Sequence, residues 1–221
     1  MTCLCLGKTK GVSVEGLTAT IRAAGIRDRR VLEAFGAVPR KRFVPAEWAA
    51  RAYEDVPLPI PHGQVTTQPS LIARMVEALK LRGDERVLEV GTGYGFQTAL
   101  LAILAREVWS TERFSDVAQT ARANLAGQAI ANTNVVTGDG SRGLAEHAPY
   151  DGIVVAAAFP RVPRPLAEQV APGGRLVHPV GPGGQDEVTL FVKDGKRLVP
   201  REMLTGAYFV RLVGQHGFAS G

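Results

Sequence analysis

The stretch VLEVGTGYGFQTALL, residues 87–101, constrains this chain more than any other. An apolar run carrying one acid, Glu89, leads into glycines at 91, 93 and 95, and a second apolar run follows at once. Glycines at alternate positions let the backbone turn sharply and come close to whatever lies above it. Strand, glycine turn and helix in immediate succession form the opening unit of an α/β sheet. Such a turn can cradle the phosphates of a nucleotide or dinucleotide, or pass close to a ligand that carries no phosphate.

The flanking sequence extends the pattern. Upstream, apolar residues recur at helical spacing from Val14 to about Ala24 and from Asp28 to about Val38, with Asp28 as N-cap of the second helix. A short helix is predicted after Pro45. The four prolines of EDVPLPIPHGQVTTQP predict an ordered loop, and residues 69–80 a helix. Downstream, ERVLEV, EVWSTE, TNVVTGD, YDGIVVAAAF and GGRLVHPVG read as strands, with helical segments between several of them. That alternation implies right-handed βαβ crossovers and a parallel sheet. EVTLFVKDGKRLV then carries an Asp-Gly hairpin turn, and AYFVRLV reads as a last separate strand. The expected fold is α/β: a Rossmann-like, doubly wound, mostly parallel sheet with an antiparallel C-terminal edge and an N-terminal helical cap. Residues 1–13 are expected to form a flexible tail and 14–221 a single domain. Within that domain, 14–80 form the cap, 81–185 the ligand-binding core and 186–221 the C-terminal hairpin and strand.

Composition narrows the function classes. No apolar stretch approaches the roughly 20 residues that cross a bilayer, and MTCLCLGKTKG places its charge after its apolar start, the reverse of a secretory signal. A cytoplasmic monomer without membrane contact is expected. The only cysteines, Cys3 and Cys5, lie in the expected tail and offer neither a staple nor a metal set. The net charge of +5 is spread in small clusters, RDRR at 27–30 and RKR at 40–42, which read as a solvated helix face and loop rather than a nucleic-acid site. His62, His147, His178 and His216 show no metal-ligand spacing, so no metal is expected.

Two phosphate readings of the glycine turn fail on its own residues. The dinucleotide fingerprint needs a third glycine where this chain has Phe96, and the P-loop lysine is missing. Two acids bear on the alternative. Glu112 ends the second strand about 20 residues after the first glycine, where a carboxylate binds ribose hydroxyls in NAD and S-adenosylmethionine sites alike. Asp139, in TGDGS at the end of the third strand, is placed to accept from an exocyclic amine. The glycine turn, Glu112 and the Asp139–Gly140 turn together form the S-adenosylmethionine pattern of class I methyltransferases.

From about Arg22 to Val213 the chain resembles the protein-L-isoaspartate O-methyltransferases, in AVPRKRFVP, LPIPHGQVTTQPSLIARMVEAL, VLEVGTGYGFQTALLA, GDG, APYDGIVVAAAFPRVPRPLAEQVAPGGRLVHPVG and YFVRLVG. GQVTTQP is the element that separates this family from other users of the fold. The resemblance implies methyl transfer from S-adenosylmethionine to the α-carboxylate freed when aspartyl or asparaginyl residues rearrange to L-isoaspartate. The ester then closes to a succinimide, whose hydrolysis returns some normal aspartate. The implied partners are isoaspartyl proteins or peptides, not nucleic acid. A carboxylate with a pKa near about 4 is already ionised at neutral pH, so such a site needs alignment and donors rather than a strong base.

By the same resemblance Thr67 is the catalytic donor to the reacting carboxylate, in a position where the family usually has serine; capping the following helix is a second role open to it. Gly91, Thr92, Gly93, Glu112, Asp139, Gly140, Thr66 and Gln68 are implied cofactor residues. Ala157, Ala158 and Val210 are implied substrate contacts, with strand-end packing as the plainer role for the alanines. The chain departs from the family at Tyr94, Phe96, Phe159 and Arg211, and the last two fall near the substrate edge. Three other functions stay open: carboxyl methylation of one dedicated peptide, cofactor binding without catalysis, and, more remotely, an NAD-dependent oxidoreductase.

Overall fold

The structure, a computed structural model, describes residues 13–219; the cysteines and all but the last residue of the expected tail lie outside them. Helix α1 spans Val14–Ala23 and is capped by the Ser13 hydroxyl, which accepts from the Gly16 N–H. Helix α2 spans Arg29–Ala37, and the Asp28 side chain accepts from the Arg30 N–H, the N-cap predicted from the sequence. The segment after Pro45 forms a 3-10 turn, Ala46–Arg51, preceded by another at Arg40–Phe43. Neither has a side-chain cap, so nothing at their starts satisfies the free N–H groups that a longer α-helix would present.

The proline-rich stretch is more regular than predicted. Strands β1 (Leu58–Ile60) and β2 (Gln64–Thr66) pair as a small antiparallel hairpin. Pro59 is tolerated because it sits exposed in a two-stranded ribbon whose outer edge needs no donor. Helix α3, Pro69–Leu79, follows with proline at its first position, where a missing N–H costs nothing.

The remaining elements are β3 (Arg86–Val90), α4 (Phe96–Leu104), β4 (Glu107–Glu112), α5 (Ser115–Ala126), β5 (Thr133–Thr137), β6 (Tyr150–Val155), α6 (Arg164–Gln169), β7 (Val170–Val180), β8 (Gly184–Asp194) and β9 (Arg197–Phe209). They build one seven-stranded sheet in the order β5-β4-β3-β6-β7-β8-β9. β5 to β7 run parallel, and the β8–β9 hairpin adds the antiparallel edge around Gly195. AYFVRLV is not a separate strand. Ala207–Phe209 continue β9 past bulges at Val188/Thr189 and Leu190/Phe191, and only then does the chain leave the ladder. Beyond it, Arg211 bridges to Ala158 beyond β6.

Each face of the sheet carries an apolar layer. Ile21, Phe35, Met75 and Leu100 share one cluster, so the cap helices and the helices beside the sheet bury one common core. Leu88, Ile153, Leu166 and Leu176 belong to the opposite one. Each fully buried aliphatic or aromatic side chain contributes about 1.5–3 kcal/mol, enough for a few such contacts to fix the cap against the sheet. Among the described residues no helix is long and apolar enough to cross a membrane.

Candidate active site

The sheet order reverses between β3 and β6, and the crevice above their carboxyl ends is where an open α/β sheet can receive a ligand. Gly91 lies there with φ +97°, and a Cβ on it would come within 3.2 Å of Ala156 Cβ at the end of β6. Gly140 is tighter still: a Cβ would sit 2.6 Å from Val90 Cγ1 and 2.7 Å from Thr111 Oγ1. Both glycines keep the backbone low enough to leave a pocket above it, about 900 Å³ including its mouth. Gly91, Thr92, Gly93, Glu112, Gly140 and Phe114 are among the residues lining it.

Glu112 is nearly buried, and its two oxygens accept from the Gly93 N–H at 2.9 Å and the Phe114 N–H at 3.1 Å. Those bonds orient the carboxylate and leave further lone pairs for a diol. Thr92 turns its hydroxyl to Ser110 and steadies the turn from below. Asp139 does not line the pocket. Its Oδ1 accepts from the Ser141 N–H and hydroxyl, and its Oδ2 from the Gln215 N–H at 2.7 Å. Burial works to raise its pKa, but these hydrogen bonds outweigh burial and hold it below the usual carboxylate range. Asp139 thus clamps the C-terminal segment, while neighbouring Gly140 forms the wall.

A second cavity of about 1000 Å³ opens between α3 and β9. Val65, Thr67, Ala156 and Val210 line both cavities, so the two meet at these side chains. Ala157 borders only the first, and Gln68 only the second. Ala158 borders neither: its N–H donates to the Val210 carbonyl and its carbonyl accepts from the Leu212 N–H, both at 2.8 Å, so it bolts the final segment to the sheet.

Among the described residues, no protein group takes up the Thr67 hydroxyl. Nor does Thr67 cap α3. The N-cap is Gln68, and the Asp55 carboxylate accepts instead from the Ser70 N–H at 2.8 Å and Gln68 Nε2 at 3.0 Å. The Thr66 hydroxyl is spent on structure, accepting from Arg40 Nη2 and the Leu58 N–H.

Arg40 overturns the reading of RKR as a solvated cluster. Its side chain is fully buried and donates to the carbonyls of Ala52, Glu54 and Val56, to the Thr66 hydroxyl and, at 3.4 Å, to the Thr67 carbonyl. Burial lowers its pKa to about 10, so the cation persists at neutral pH. In the other cluster Arg30 donates to the Leu81 and Leu104 carbonyls, stapling α2 to the ends of α3 and α4. A basic triplet beside prolines gave no sign of this. The one available signal was position, directly before the loop that leads to Thr67.

Against this geometry the comparisons with known proteins are consistent with one another. The sequence profile described as Protein-L-isoaspartate(D-aspartate) O-methyltransferase matches residues 12–217. The protein-L-isoaspartate O-methyltransferase of Methanoculleus marisnigri is 51% identical over 199 residues, 90% of each chain. That of Myxococcus xanthus is 48% identical over 194 residues, 86% of this chain and 92% of its own. The chain belongs to the protein-L-isoaspartate(D-aspartate) O-methyltransferase family.

A solved protein-L-isoaspartate O-methyltransferase superposes with a TM-score of 0.81 at 28% identity, covering 93% of this chain and 67% of its own. A Plasmodium falciparum structure of that description, solved with S-adenosyl-L-homocysteine, shares the fold at TM-score 0.78 and 21% identity, over 90% and 97% of the two chains. The positions where this methyltransferase departs from its family find physical explanations. Phe96 is the first residue of α4; it packs edge-on against Phe35 at 5.7 Å and also lines the first cavity. Tyr94 stands half-buried on the pocket wall. Phe159 and Arg211 both pack on Phe218, Arg211 with its guanidinium 5.0 Å above the ring, and Arg211 also lines the first cavity. Among the described residues no cluster of His, Cys, Asp or Glu could hold a metal.

Proposed function

We propose that this chain methylates the α-carboxylate of L-isoaspartyl residues in damaged proteins or peptides, the first step of their repair, with Thr67 as the donor to that carboxylate. The observation that carries the reading is the meeting of two cavities at a threonine hydroxyl with no protein partner. The glycine cradle at Gly91 and Gly140, where any Cβ would intrude, and the oriented Glu112 carboxylate suit the nucleoside of S-adenosylmethionine. When bound, that cofactor supplies an electrophilic methyl on a sulfonium.

The chain's own residues then have three tasks. Glu112 accepts from ribose hydroxyls while the Gly93 and Phe114 amides hold it still. Thr67 donates to one oxygen of the incoming carboxylate and leaves the other free to react. The apolar surfaces of Ala156, Val65 and Val210 displace water from the junction, so the carboxylate sheds part of its hydration before it reacts. No proton must be removed, so Thr67 has to donate and not to abstract.

Thr67→Val is nearly isosteric and removes only the donor. Methylation of an isoaspartyl peptide should fall about 100-fold, the scale of one lost transition-state donor, with S-adenosylhomocysteine binding retained. Labelled cofactor with matched isoaspartyl and aspartyl peptides checks both parts. Full activity of Thr67→Val removes Thr67 from the mechanism. Label on neither peptide, with cofactor still bound, points to a dedicated substrate or to binding alone.

A further inference from the structure

The groove between α3 and β9 is where, on the proposed function, the peptide would lie, and it carries a charge the reaction does not use. Among the residues lining it, Arg74 on α3 is the one charged side chain. Arg74 is half-buried, and its Nη2 donates to the Ala24 carbonyl at 2.7 Å. Among the described residues no protein acceptor takes up its Nε or Nη1, and no carboxylate lies within 4.0 Å. The neighbouring acids are otherwise engaged. Glu77 accepts from the Arg27 and Asp28 N–H groups, and Asp55 from Ser70 and Gln68.

A half-buried guanidinium in a binding groove, held on one side and open on the other, asks for an anion. We infer that Arg74 is a specificity-determining residue that selects isoaspartyl peptides bearing an acidic side chain two to four residues from the damaged one. The spacing follows from the helix. Arg74 stands five residues into α3, about 7.5 Å along its axis at 1.5 Å per residue, and the non-helical Gln68 lies between the helix start and Thr67. An extended peptide covers about 7–13 Å in two to four residues at 3.3 Å each. The opposite wall, Thr205 to Val210 of β9 and its continuation, runs on past the junction, so the peptide has a strand to lie along. Tyr208, largely exposed, and Val65 flank the groove with apolar surface. The carboxylate is therefore read by Arg74, and the rest of the groove is indifferent to charge.

This inference rests on the proposed function, and the experiment separates the two. Isoaspartyl peptides carrying Glu, Gln or Lys at each of the four positions on either side are compared as substrates of wild type, Arg74→Gln, Arg74→Lys and Arg74→Glu. The same peptides are titrated onto the S-adenosylhomocysteine-bound protein, which needs no turnover. Glu at one or two positions, all on one side, should lower KM and Kd about three- to tenfold relative to Gln, the scale of a partly exposed charge-assisted pair, with kcat little changed. Arg74→Gln should abolish that preference, Arg74→Lys restore part of it and Arg74→Glu turn it toward Lys peptides. If Arg74→Gln lowers Tm and weakens all peptides equally while leaving the preference untouched, Arg74 is only structural and the inference is overturned, as it is if no preference exists at all. If isoaspartyl and aspartyl peptides bind alike and neither is methylated while the charge preference persists, the activity falls and Arg74 stands. If no peptide binds or reacts, both fall.

Discussion

Glu89 and His178 are both completely buried, and each titrates far from its ordinary range. Burial pushes the Glu89 carboxyl up to about 7, against the pull of hydrogen bonds from Ser110, Thr98 and Gln97. Between its unfolded value and about 7 the folded chain holds a proton that the unfolded chain has released, so this group makes stability fall as pH rises through that window. Burial lowers His178 to about 4, although the Phe159 and Arg161 backbones pull the other way. Between about 4 and its unfolded value near 6.5 the unfolded chain takes up a proton that the folded one refuses, so this group makes stability fall as pH drops. The two slopes oppose each other in the wild type. Glu89→Gln removes the first and leaves His178 uncovered. Thermal melts of that variant should drop more steeply than wild type between about pH 7 and pH 5, and lie above it near about pH 8. Parallel profiles for the two proteins would mean that Glu89 does not carry the proton assigned to it.

The segment from Ala52 to Thr67 buries a small apolar cluster of its own around Leu58 but has no long element, yet it sets the position of the catalytic candidate. Arg40 holds it by gathering carbonyls that would otherwise be buried without donors. Leaving a buried acceptor without its donor costs about 1–3 kcal/mol, and with several carbonyls exposed to that loss a total of roughly 3–5 kcal/mol is expected after relaxation. Arg40→Met should therefore lower Tm by roughly 6–20 °C for a chain of this size. Arg40→Lys, which keeps charge but loses the fork, should lie between. Comparison of melts with kcat on an isoaspartyl peptide tells stability from positioning, because a loosened Thr67 lowers kcat even well below the melting temperature. At its turn the hairpin is latched to the start of α5 and to Phe114. His62 Nε2 lies 2.9 Å from Asp116 Oδ2, and its ring stacks on Phe114 at 4.1 Å. Elements with a local cause were legible in the sequence: α2 from its Asp28 cap, α3 from the apolar face of Leu71, Ile72, Met75, Val76 and Leu79, the β8–β9 turn from Asp-Gly. The β1–β2 hairpin was not, because its pairing answers to Arg40 and Thr66 rather than to its own prolines.

At the scale of the molecule, the pocket exists because the strand order reverses between β3 and β6 and because Gly91 and Gly140, beyond the ends of β3 and β5, keep the backbone low. Ligand that binds only the folded chain adds stability by mass action, about 2.7 kcal/mol at a hundredfold excess over Kd. S-adenosylhomocysteine at that excess should raise Tm by roughly 5–11 °C, and Glu112→Gln should shrink the shift; no shift in the wild type would count against the cofactor assignment. The alternation of strands and helices from β3 to β7, the glycine turn and the acid ending β4 could be read from the chain, because hydrophobic period and backbone freedom are local properties. The family, too, was readable from its motifs. The fate of individual polar groups was not. Asp139 turned to the C-terminal clasp, Ala158 became a bolt, Arg40 went into the interior and Arg74 was left facing a groove with no counter-ion among the described residues. Each outcome depends on which distant carbonyl, amide or carboxylate the completed fold brings within about 3 Å, and only the tertiary structure chooses that partner.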